Sequence, residues 1–204
     1  MSRTYDCAVP RDRERGLSAA AAAISRGALV VIPTDTVYGI GCDLFNKKAV
    51  DKLYQVKGMP RSQQLAFLCG DLGEVAKYAI LNDYEYRILK KYLPGPYCFI
   101  LRTTNEVPRI VQTPRKHVGV RIPNHPVALA LLQELGRPII SSTAARPGQP
   151  PFIDPKELDL EFKGLDLVLD GGVGGDAPAT IIDLTADHPI VVREGAGDAT
   201  PFRQ

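Results

Sequence analysis

The chain has 204 residues, a formal net charge of +2, 45% hydrophobic residues and 24% charged residues. This length and composition predict one globular domain over residues 1–204 and exclude an intrinsically disordered chain. No apolar run is long enough to span a membrane, and residues 1–6 carry no signal-peptide pattern, so we expect a cytoplasmic protein that is not inserted in a membrane.

Helical and strand patterns alternate along the chain. A helix is predicted over 11–26, ended by Gly27, and a buried strand over 29–32 is stopped by Pro33. Further helices are predicted over 49–56, 83–92 and 126–135, and further strands over 66–69, 97–101, 118–122, 138–142, 165–169, 180–184 and 190–192. The closing strands have few helices between them, so the pattern indicates an α/β protein with a mixed sheet.

Two features resemble ligand-binding motifs but are interpreted otherwise. The cysteines lack both CxxC spacing and a histidine at ligand spacing, so we expect reduced core residues and no metal site; they are Cys7, Cys42, Cys69 and Cys98. The glycine-rich segment 170–176 lacks the Lys-Ser/Thr ending of a P-loop and precedes a strand rather than a helix. We interpret it as a flexible connector.

Polar side chains follow two of the predicted strands. Residues 34–36 (Thr-Asp-Thr) follow the strand at 29–32, and residues 141–143 (Ser-Ser-Thr) follow Ile139-Ile140. Ligands of open α/β sheets lie beyond the carboxyl ends of the strands, which makes both segments candidates for binding a small polar ligand. The alternative is a turn or a helix N-cap, in which the same side chains bond nearby backbone.

Three cations are candidate anion ligands. Lys57, at a helix end, is placed either to meet a phosphate or to complement the helix dipole. Arg121 and Arg193 lie in apolar strand sequences, where a buried arginine needs a ligand anion or an internal acid as its partner. No Ser-His-Asp set is evident, so we expect a site that binds anions and hydroxyl-rich ligands without a protein nucleophile.

The segment 87–116 is the most basic part of the chain. Its only acid is Glu106, and its cations are Arg87, Lys90, Lys91, Arg102, Arg109, Arg115 and Lys116. Such a segment is suited to attract phosphates or RNA. A solvated helix face and loop explain the same charges, because a cluster along the chain need not form a patch in space. Both interpretations stay open.

Taken in order, several motifs resemble the YrdC-like family of threonylcarbamoyl-AMP synthases. They are 29–41 (LVVIPTDTVYGIG), Lys57-Gly58, 94–96 (PGP), 120–123 (VRIP), 180–184 (TIIDL) and 192–195 (VREG). The resemblance covers about residues 10–202 and implies a single-domain twisted open mixed sheet flanked by helices, with a concave, positively charged cavity. It also implies an enzyme that condenses L-threonine, bicarbonate and ATP into threonylcarbamoyl-AMP and pyrophosphate. Mg²⁺ would bind the ATP phosphates, and the product would be used in tRNA modification.

The resemblance further implies roles for individual residues. Thr34, Thr36, Tyr38 and Arg121 would contact threonine. Lys57 would meet the ATP phosphates and the carbonate-derived group, and it is the implied catalytic residue together with Thr34. The implied nucleotide-binding residues are Lys57, Arg61, Ser141, Thr143, Thr180 and Arg193.

Several positions depart from the pattern of the synthases. Met59 replaces an arginine, Ala145 an asparagine, and Ala179 and Pro147 each replace a serine. The loss of a charged phosphate contact costs about 1.5–3 kcal/mol, or one to two decades of affinity. These departures, together with 195–198 (GAGD) and 201–202 (PF), resemble the YciO branch of the family.

Three functional hypotheses follow from these departures. The first is a threonylcarbamoyl-AMP synthase, either weak or with an altered substrate preference. The second is a non-catalytic module that binds tRNA or double-stranded RNA. The third is a ligase or carbamoyl-transfer enzyme acting on another amino acid or nucleotide, since Met59 and Ala145 would reshape the pocket.

Overall fold

The computed structural model describes residues 2–203, in which ten strands and six α-helices occur. The strands are β1 (Arg3–Asp6), β2 (Val30–Ile32), β3 (Gly39–Cys42), β4 (Ala66–Leu68), β5 (Tyr97–Arg102), β6 (His117–Arg121), β7 (Ile139–Thr143), β8 (Leu167–Asp170), β9 (Thr180–Asp183) and β10 (Ile190–Arg193). The helices are α1 (Pro10–Ser25), α2 (Lys47–Lys57), α3 (Leu72–Tyr78), α4 (Asp83–Tyr92), α5 (Pro126–Leu135) and α6 (Pro155–Glu161), and a 3₁₀ turn covers Thr200–Phe202.

All ten strands belong to one open sheet. Their spatial order is β1-β8-β2-β3-β7-β4-β6-β5-β9-β10, with β1 and β10 at the edges. Four neighbouring pairs are parallel (β1–β8, β2–β8, β4–β6 and β5–β9) and the other five are antiparallel. The predicted single-domain α/β fold with an open mixed sheet is therefore confirmed.

Helices cover both faces of this sheet. On one face α1 and α5 pack together, and the small side chains Ala20 and Ala23 of α1 are buried there beside Ile24. Apolar residues at three- and four-residue spacing give α1 this buried stripe. On the other face Leu53 of α2 and Leu89 of α4 pack in the larger core, in which the strands contribute mainly alternate residues.

Most predicted elements are present, and two helices have the predicted bounds, α4 and α5. Helix α2 begins two residues earlier than predicted, because the side chain of Asn46 accepts a hydrogen bond from the Ala49 amide at 3.1 Å and caps it. The short helices α3 and α6 are absent from the prediction. Their signals were Asp71 and Asp154, each of which caps its helix by accepting from a backbone amide.

The glycine-rich segment is fixed in place, which corrects its interpretation as a flexible connector. The Gly175 amide donates to the Thr36 carbonyl at 2.7 Å, and a Cβ added at Gly175 would lie 2.2 Å from that oxygen. The Tyr38 hydroxyl donates to the Gly172 carbonyl at 2.6 Å and accepts from the Gly171 amide at 2.9 Å. The glycine-rich segment therefore packs on the loop 33–38 and keeps that loop in position.

The four cysteines are all free and buried, as predicted for core residues. Burial raises the pKa of the Cys7 and Cys98 thiols to about 11 and that of Cys42 to about 12, so these thiols stay protonated near neutral pH. None of the helices formed by residues 2–203 is both long and apolar enough to cross a lipid bilayer.

Candidate functional site

A cavity of about 300 Å³ opens on the sheet face that α1 and α5 cover in part. The strand register explains its position. On β7, Ile139 packs in the core beneath α1 and α5, whereas Ser141, two residues further along the same face, lines the cavity. The face thus changes from apolar and covered to polar and open within one strand.

Small side chains leave the room for this cavity. Gly39 of β3 lies opposite Thr143, and Ala66 of β4 lies opposite Ser141; all four line the cavity. A Cβ added at Gly39 would approach the Ser141 hydroxyl oxygen to 2.7 Å. Larger residues at these positions would fill part of the cavity, so its concave floor is a direct consequence of this sequence.

Lys57 is buried at the C-terminus of α2, with 3% of its surface exposed. The helix ends there because Gly58 adopts a left-handed conformation at φ 63°. The Lys57 Nζ atom turns away from the helix: it donates to the Ser142 hydroxyl at 2.8 Å and to the Thr143 carbonyl. Burial and then the charge of Arg146 lower the pKa of Lys57 to about 8.

Arg121 and Thr34 meet at the same cavity, and both line it. Arg121 is 8% exposed and donates to the Asp35 carboxylate at 2.7 Å and to the Thr34 hydroxyl at 3.4 Å. Of the two partners considered for a buried arginine, the structure therefore has the internal acid. The second carboxylate oxygen of Asp35, the Arg121 Nε atom and the His125 Nδ1 atom are buried without a hydrogen-bond partner among residues 2–203. Of these three residues, Arg121 lines the cavity, and Asp35 and His125 do not.

Two of the threonines assigned by resemblance do not line the cavity. The Thr36 hydroxyl lies 3.2 Å from the Thr34 hydroxyl, and the residue is 2% exposed. Thr180 is fully buried: its hydroxyl donates to the Gly197 carbonyl at 2.6 Å and accepts from the Gly195 amide at 3.0 Å. The Thr36 hydroxyl therefore contacts Thr34 of its own loop, whereas the Thr180 hydroxyl connects β9 to the loop at 195–197.

The remaining assigned residues divide in the same way. Ser141, Thr143 and Tyr38 line the cavity, although the Tyr38 hydroxyl is engaged with the glycine-rich segment. Arg61 does not line it: this exposed guanidinium pairs with Asp51 and lies over the Tyr54 ring at 4.6 Å.

Arg193 lines the cavity from the edge strand β10. It is an exposed residue rather than a buried one, which corrects the expectation drawn from its apolar neighbours. Its guanidinium donates to the Ala179 carbonyl at 2.7 and 3.2 Å. Among residues 2–203 no carboxylate lies within ion-pair distance of Arg193 or Lys57.

The charges around the cavity are unequal. Four basic residues line it and, within residues 2–203, no acidic residue does; the four are Lys57, Arg121, Arg146 and Arg193. Two of them are paired with carboxylates just outside the lining, Arg121 with Asp35 and Arg146 with Glu161. Lys57 and Arg193 are the two without a carboxylate partner among residues 2–203.

Arg146 is a site residue that the sequence did not reveal. It lies in the turn after β7, and its guanidinium donates to the Val56 carbonyl at 2.9 Å and to the Glu161 carboxylate at 2.6 Å. Its neighbours Pro147-Gly148 indicated a turn, but nothing in the local sequence indicated the direction of this side chain. No group of acidic, histidine or cysteine residues within 2–203 is arranged to hold a metal ion.

The cavity of this α/β protein is thus lined by a buried lysine, a buried arginine and strand-end hydroxyls. The sequence matches the Sua5/YciO/YrdC family, described as "Telomere recombination", over residues 22–195, and the chain belongs to that family.

Individual relatives agree with this assignment. The chain is 38% identical over 205 residues to the uncharacterized protein YciO of Escherichia coli K12, covering 99% of this chain and 100% of that protein. The crystal structure of E. coli YciO superposes with a TM-score of 0.93 at 36% identity over the full length of both chains. The predicted resemblance to the YciO branch is thereby confirmed.

Other relatives carry more specific descriptions. A putative threonylcarbamoyl-AMP synthase of Mycobacterium tuberculosis H37Rv is 35% identical over 198 residues, which are 96% of this chain and 91% of that protein. A P. abyssi Sua5 crystal structure in complex with L-threonine has a TM-score of 0.86 at 29% identity. That match covers 96% of this chain and 57% of the longer Sua5 chain.

Proposed function

We propose that the chain is an L-threonylcarbamoyladenylate synthase-type enzyme that uses L-threonine, bicarbonate and ATP. The threonine nitrogen would bond to the bicarbonate carbon with loss of water, giving a carbamate. A carbamate oxygen would then attack the α-phosphorus of ATP and release pyrophosphate. Negative charge develops on the reacting oxygens in both steps, so the reaction requires cations and hydrogen-bond donors in fixed positions rather than a protein nucleophile.

The observation that carries this proposal is the convergence of distant residues on one cavity. Lys57 from α2, Arg121 from β6, Ser141 and Thr143 from β7, and Arg193 from β10 all line it. A purely structural role for these side chains would not require a shared open space. Their chemistry, a hydroxyl-lined surface with cations on several sides, matches an anionic nucleotide beside an amino acid.

Different residues of the cavity would bind the amino acid and the nucleotide. The Arg121 guanidinium would meet the threonine carboxylate, and the Thr34 oxygen, whose proton goes to the Val37 carbonyl at 2.6 Å, would accept a hydrogen bond from the threonine. The Sua5 structure with L-threonine supports an amino-acid subsite in this fold. Thr36 and Tyr38 would support that subsite by holding the loop 33–38 rather than by direct hydroxyl contact.

Lys57, Ser141, Thr143 and Arg193 would serve the nucleotide. Lys57 now donates to Ser142 and Thr143, and it would exchange these partners for a phosphate or carbamate oxygen. The protein would not need its own metal ligands, because Mg²⁺ would enter as a substrate component on the ATP phosphates. The product would supply an enzyme that transfers the threonylcarbamoyl group to tRNA.

A threonine-dependence assay tests the proposal. The protein is incubated with ATP, Mg²⁺, bicarbonate and L-threonine, and pyrophosphate is measured alongside the mass of the adenylate product. We expect release that requires both threonine and bicarbonate and is lost in Lys57→Met. Equal pyrophosphate release with another amino acid would favour the hypothesis of a ligase that acts on a different substrate. Pyrophosphate release that requires no amino acid would contradict both the synthase and the ligase hypotheses.

RNA binding is the second candidate function, favoured by one observation. All seven cations of the segment 87–116 are exposed, and within residues 2–203 only Arg102 among them pairs with an acid, Glu85. Exposed cations without acidic partners suit the phosphates of tRNA or double-stranded RNA. This candidate is independent of the cavity, so the two functions are separable by experiment.

A further inference from the structure

Arg146 is held more firmly than its place in a turn would suggest. Nε donates to the Glu161 carboxylate at 2.6 Å, one terminal nitrogen to the Val56 carbonyl at 2.9 Å, and the other to the Glu161 carbonyl at 2.8 Å. The guanidinium also lies over the Phe162 ring, 4.7 Å from its centroid. Three of the five N–H donors of the guanidinium are therefore fixed to protein, and two remain.

The Arg146 guanidinium lies near the C-terminal end of α2, where Lys57 is located. Arg146 and Lys57 line the same cavity, and one terminal nitrogen of Arg146 lies 3.8 Å from the position a Cβ would take at Gly58. The charge of Arg146 contributes to the lowered pKa of Lys57, which is the expected effect of two cations brought together. Two cations this close repel each other, and an anion that contacts both would offset the repulsion.

We propose that Arg146 is a second phosphate-binding residue, which presents its two remaining N–H donors to the polyphosphate that Lys57 also contacts. This inference rests on the proposed nucleotide-binding function of the cavity and adds a residue to it. The fixed guanidinium loses little conformational freedom on binding, which favours contact with a planar set of phosphate oxygens.

Glu161 adjusts the strength of this contact. Its carboxylate neutralises part of the Arg146 charge while holding the guanidinium in place. Glu161→Gln keeps an acceptor for Nε but removes the negative charge. If Arg146 binds phosphate, this variant binds polyphosphate more tightly, whereas a purely structural Arg146 gives no gain. The opposite signs expected for Arg146→Met and Glu161→Gln make the test specific.

The experiment measures binding of tripolyphosphate, ATP and adenosine by calorimetry at constant ionic strength. Arg146→Met should weaken tripolyphosphate and ATP binding about ten- to a hundredfold, the usual effect of losing a charged hydrogen bond. Glu161→Gln should strengthen both about two- to fivefold. Adenosine, which has no phosphate, should bind all variants equally.

Arg3→Met is the matched control. Arg3 is also an arginine whose guanidinium lies over an aromatic ring, that of Tyr5 at 4.9 Å, and it does not line the cavity. We expect it to bind tripolyphosphate like the unmodified chain. Thermal unfolding of every variant separates a loss of fold from a loss of ligand.

The outcomes separate the inference from the function on which it rests. If Arg146→Met weakens the binding of adenosine and of tripolyphosphate equally, Arg146 only stabilises the structure of the cavity wall. A Glu161→Gln variant that binds tripolyphosphate no better than the unmodified chain would also overturn the inference. If the variants change tripolyphosphate binding as expected but the protein makes no adenylate, the phosphate-binding role of Arg146 is supported and the synthase proposal is refuted.

Discussion

Replacing Lys57 by methionine should stabilise the free protein while abolishing its function. A pKa of about 8 instead of 10.5 corresponds to about 3 kcal/mol that disfavours the buried ammonium in the folded state. Methionine has a similar shape and no charge, but it leaves the Ser142 hydroxyl and the Thr143 carbonyl without this donor, at about 1 kcal/mol each. We therefore expect a net gain of roughly 1–2 kcal/mol in the free energy of unfolding at pH 7.

The pH dependence gives the prediction a second readout. The pKa of Lys57 is lower in the folded state than in the unfolded state, so the penalty is fully present below pH 8. It disappears as the pH rises from about 8 to 10.5, because the unfolded chain then binds more protons than the folded one. The stability difference between Lys57→Met and the unmodified chain should shrink over this range.

Urea unfolding at pH 7 and at pH 10 measures both effects, with equal m-values as the test that the same transition is compared. Lys52→Met is the matched control, since Lys52 lies on the same helix but is partly exposed and pairs with Asp166 at 2.7 Å. Its loss should cost no more than about 1 kcal/mol at pH 7. A Lys57→Met protein that is less stable than the unmodified chain at pH 7 would refute the reasoning.

Three further predictions concern the cavity wall, the loop that holds it and RNA. Arg121→Met should destabilise the fold by about 3–5 kcal/mol in urea unfolding, because it leaves the Asp35 carboxylate buried and unpaired, and adding Asp35→Asn should restore more than half of that loss. Gly175→Ala should cost about 1–3 kcal/mol by the same measurement, since its Cβ would collide with the Thr36 carbonyl, and an unchanged midpoint would contradict the close packing. RNA affinity, if carried by the segment 87–116, should fall steeply between 50 and 200 mM salt, and a flat dependence in filter binding would exclude this mode.

The sequence predicted those strands whose local residue pattern agrees with their place in the sheet. Runs such as 29–32 and 118–122 are rich in β-branched residues, and both form strands that are almost entirely buried. Strand β3 escaped prediction because two of its four residues are glycines, which weaken a strand pattern. The fold requires them: a Cβ at Gly41 would lie 2.9 Å from the Ile139 side chain.

The site was predictable in part, and alternation along strands explains some of the remainder. Ser141 and Thr143 share one face of β7 and line the cavity, and Ser142 between them lines it as well and accepts from Lys57. On β9, Ile181 lines the cavity while its neighbour Thr180 is buried beneath the loop at 195–197. The sequence motif marks Thr180, but only the register of the sheet decides which face it occupies.

Side-chain direction limited the prediction in the loops. Arg61 lies two residues after Met59 and pairs with Asp51, away from the cavity, whereas Arg146 lines the cavity. Both are arginines next to a proline or glycine, and no local pattern separates them. Their directions depend on Asp51 and Glu161, whose positions are set by α2 and α6.

The most direct test of the proposed function is the threonine dependence of pyrophosphate release. With ATP, Mg²⁺ and bicarbonate present, we predict that adding L-threonine starts the release and that the threonylcarbamoyl adenylate accumulates in equal amount. Pyrophosphate release and adenylate formation should both be lost in Lys57→Met. A chain that binds ATP yet releases no pyrophosphate with threonine, even at high protein concentration, would contradict the proposed synthase activity.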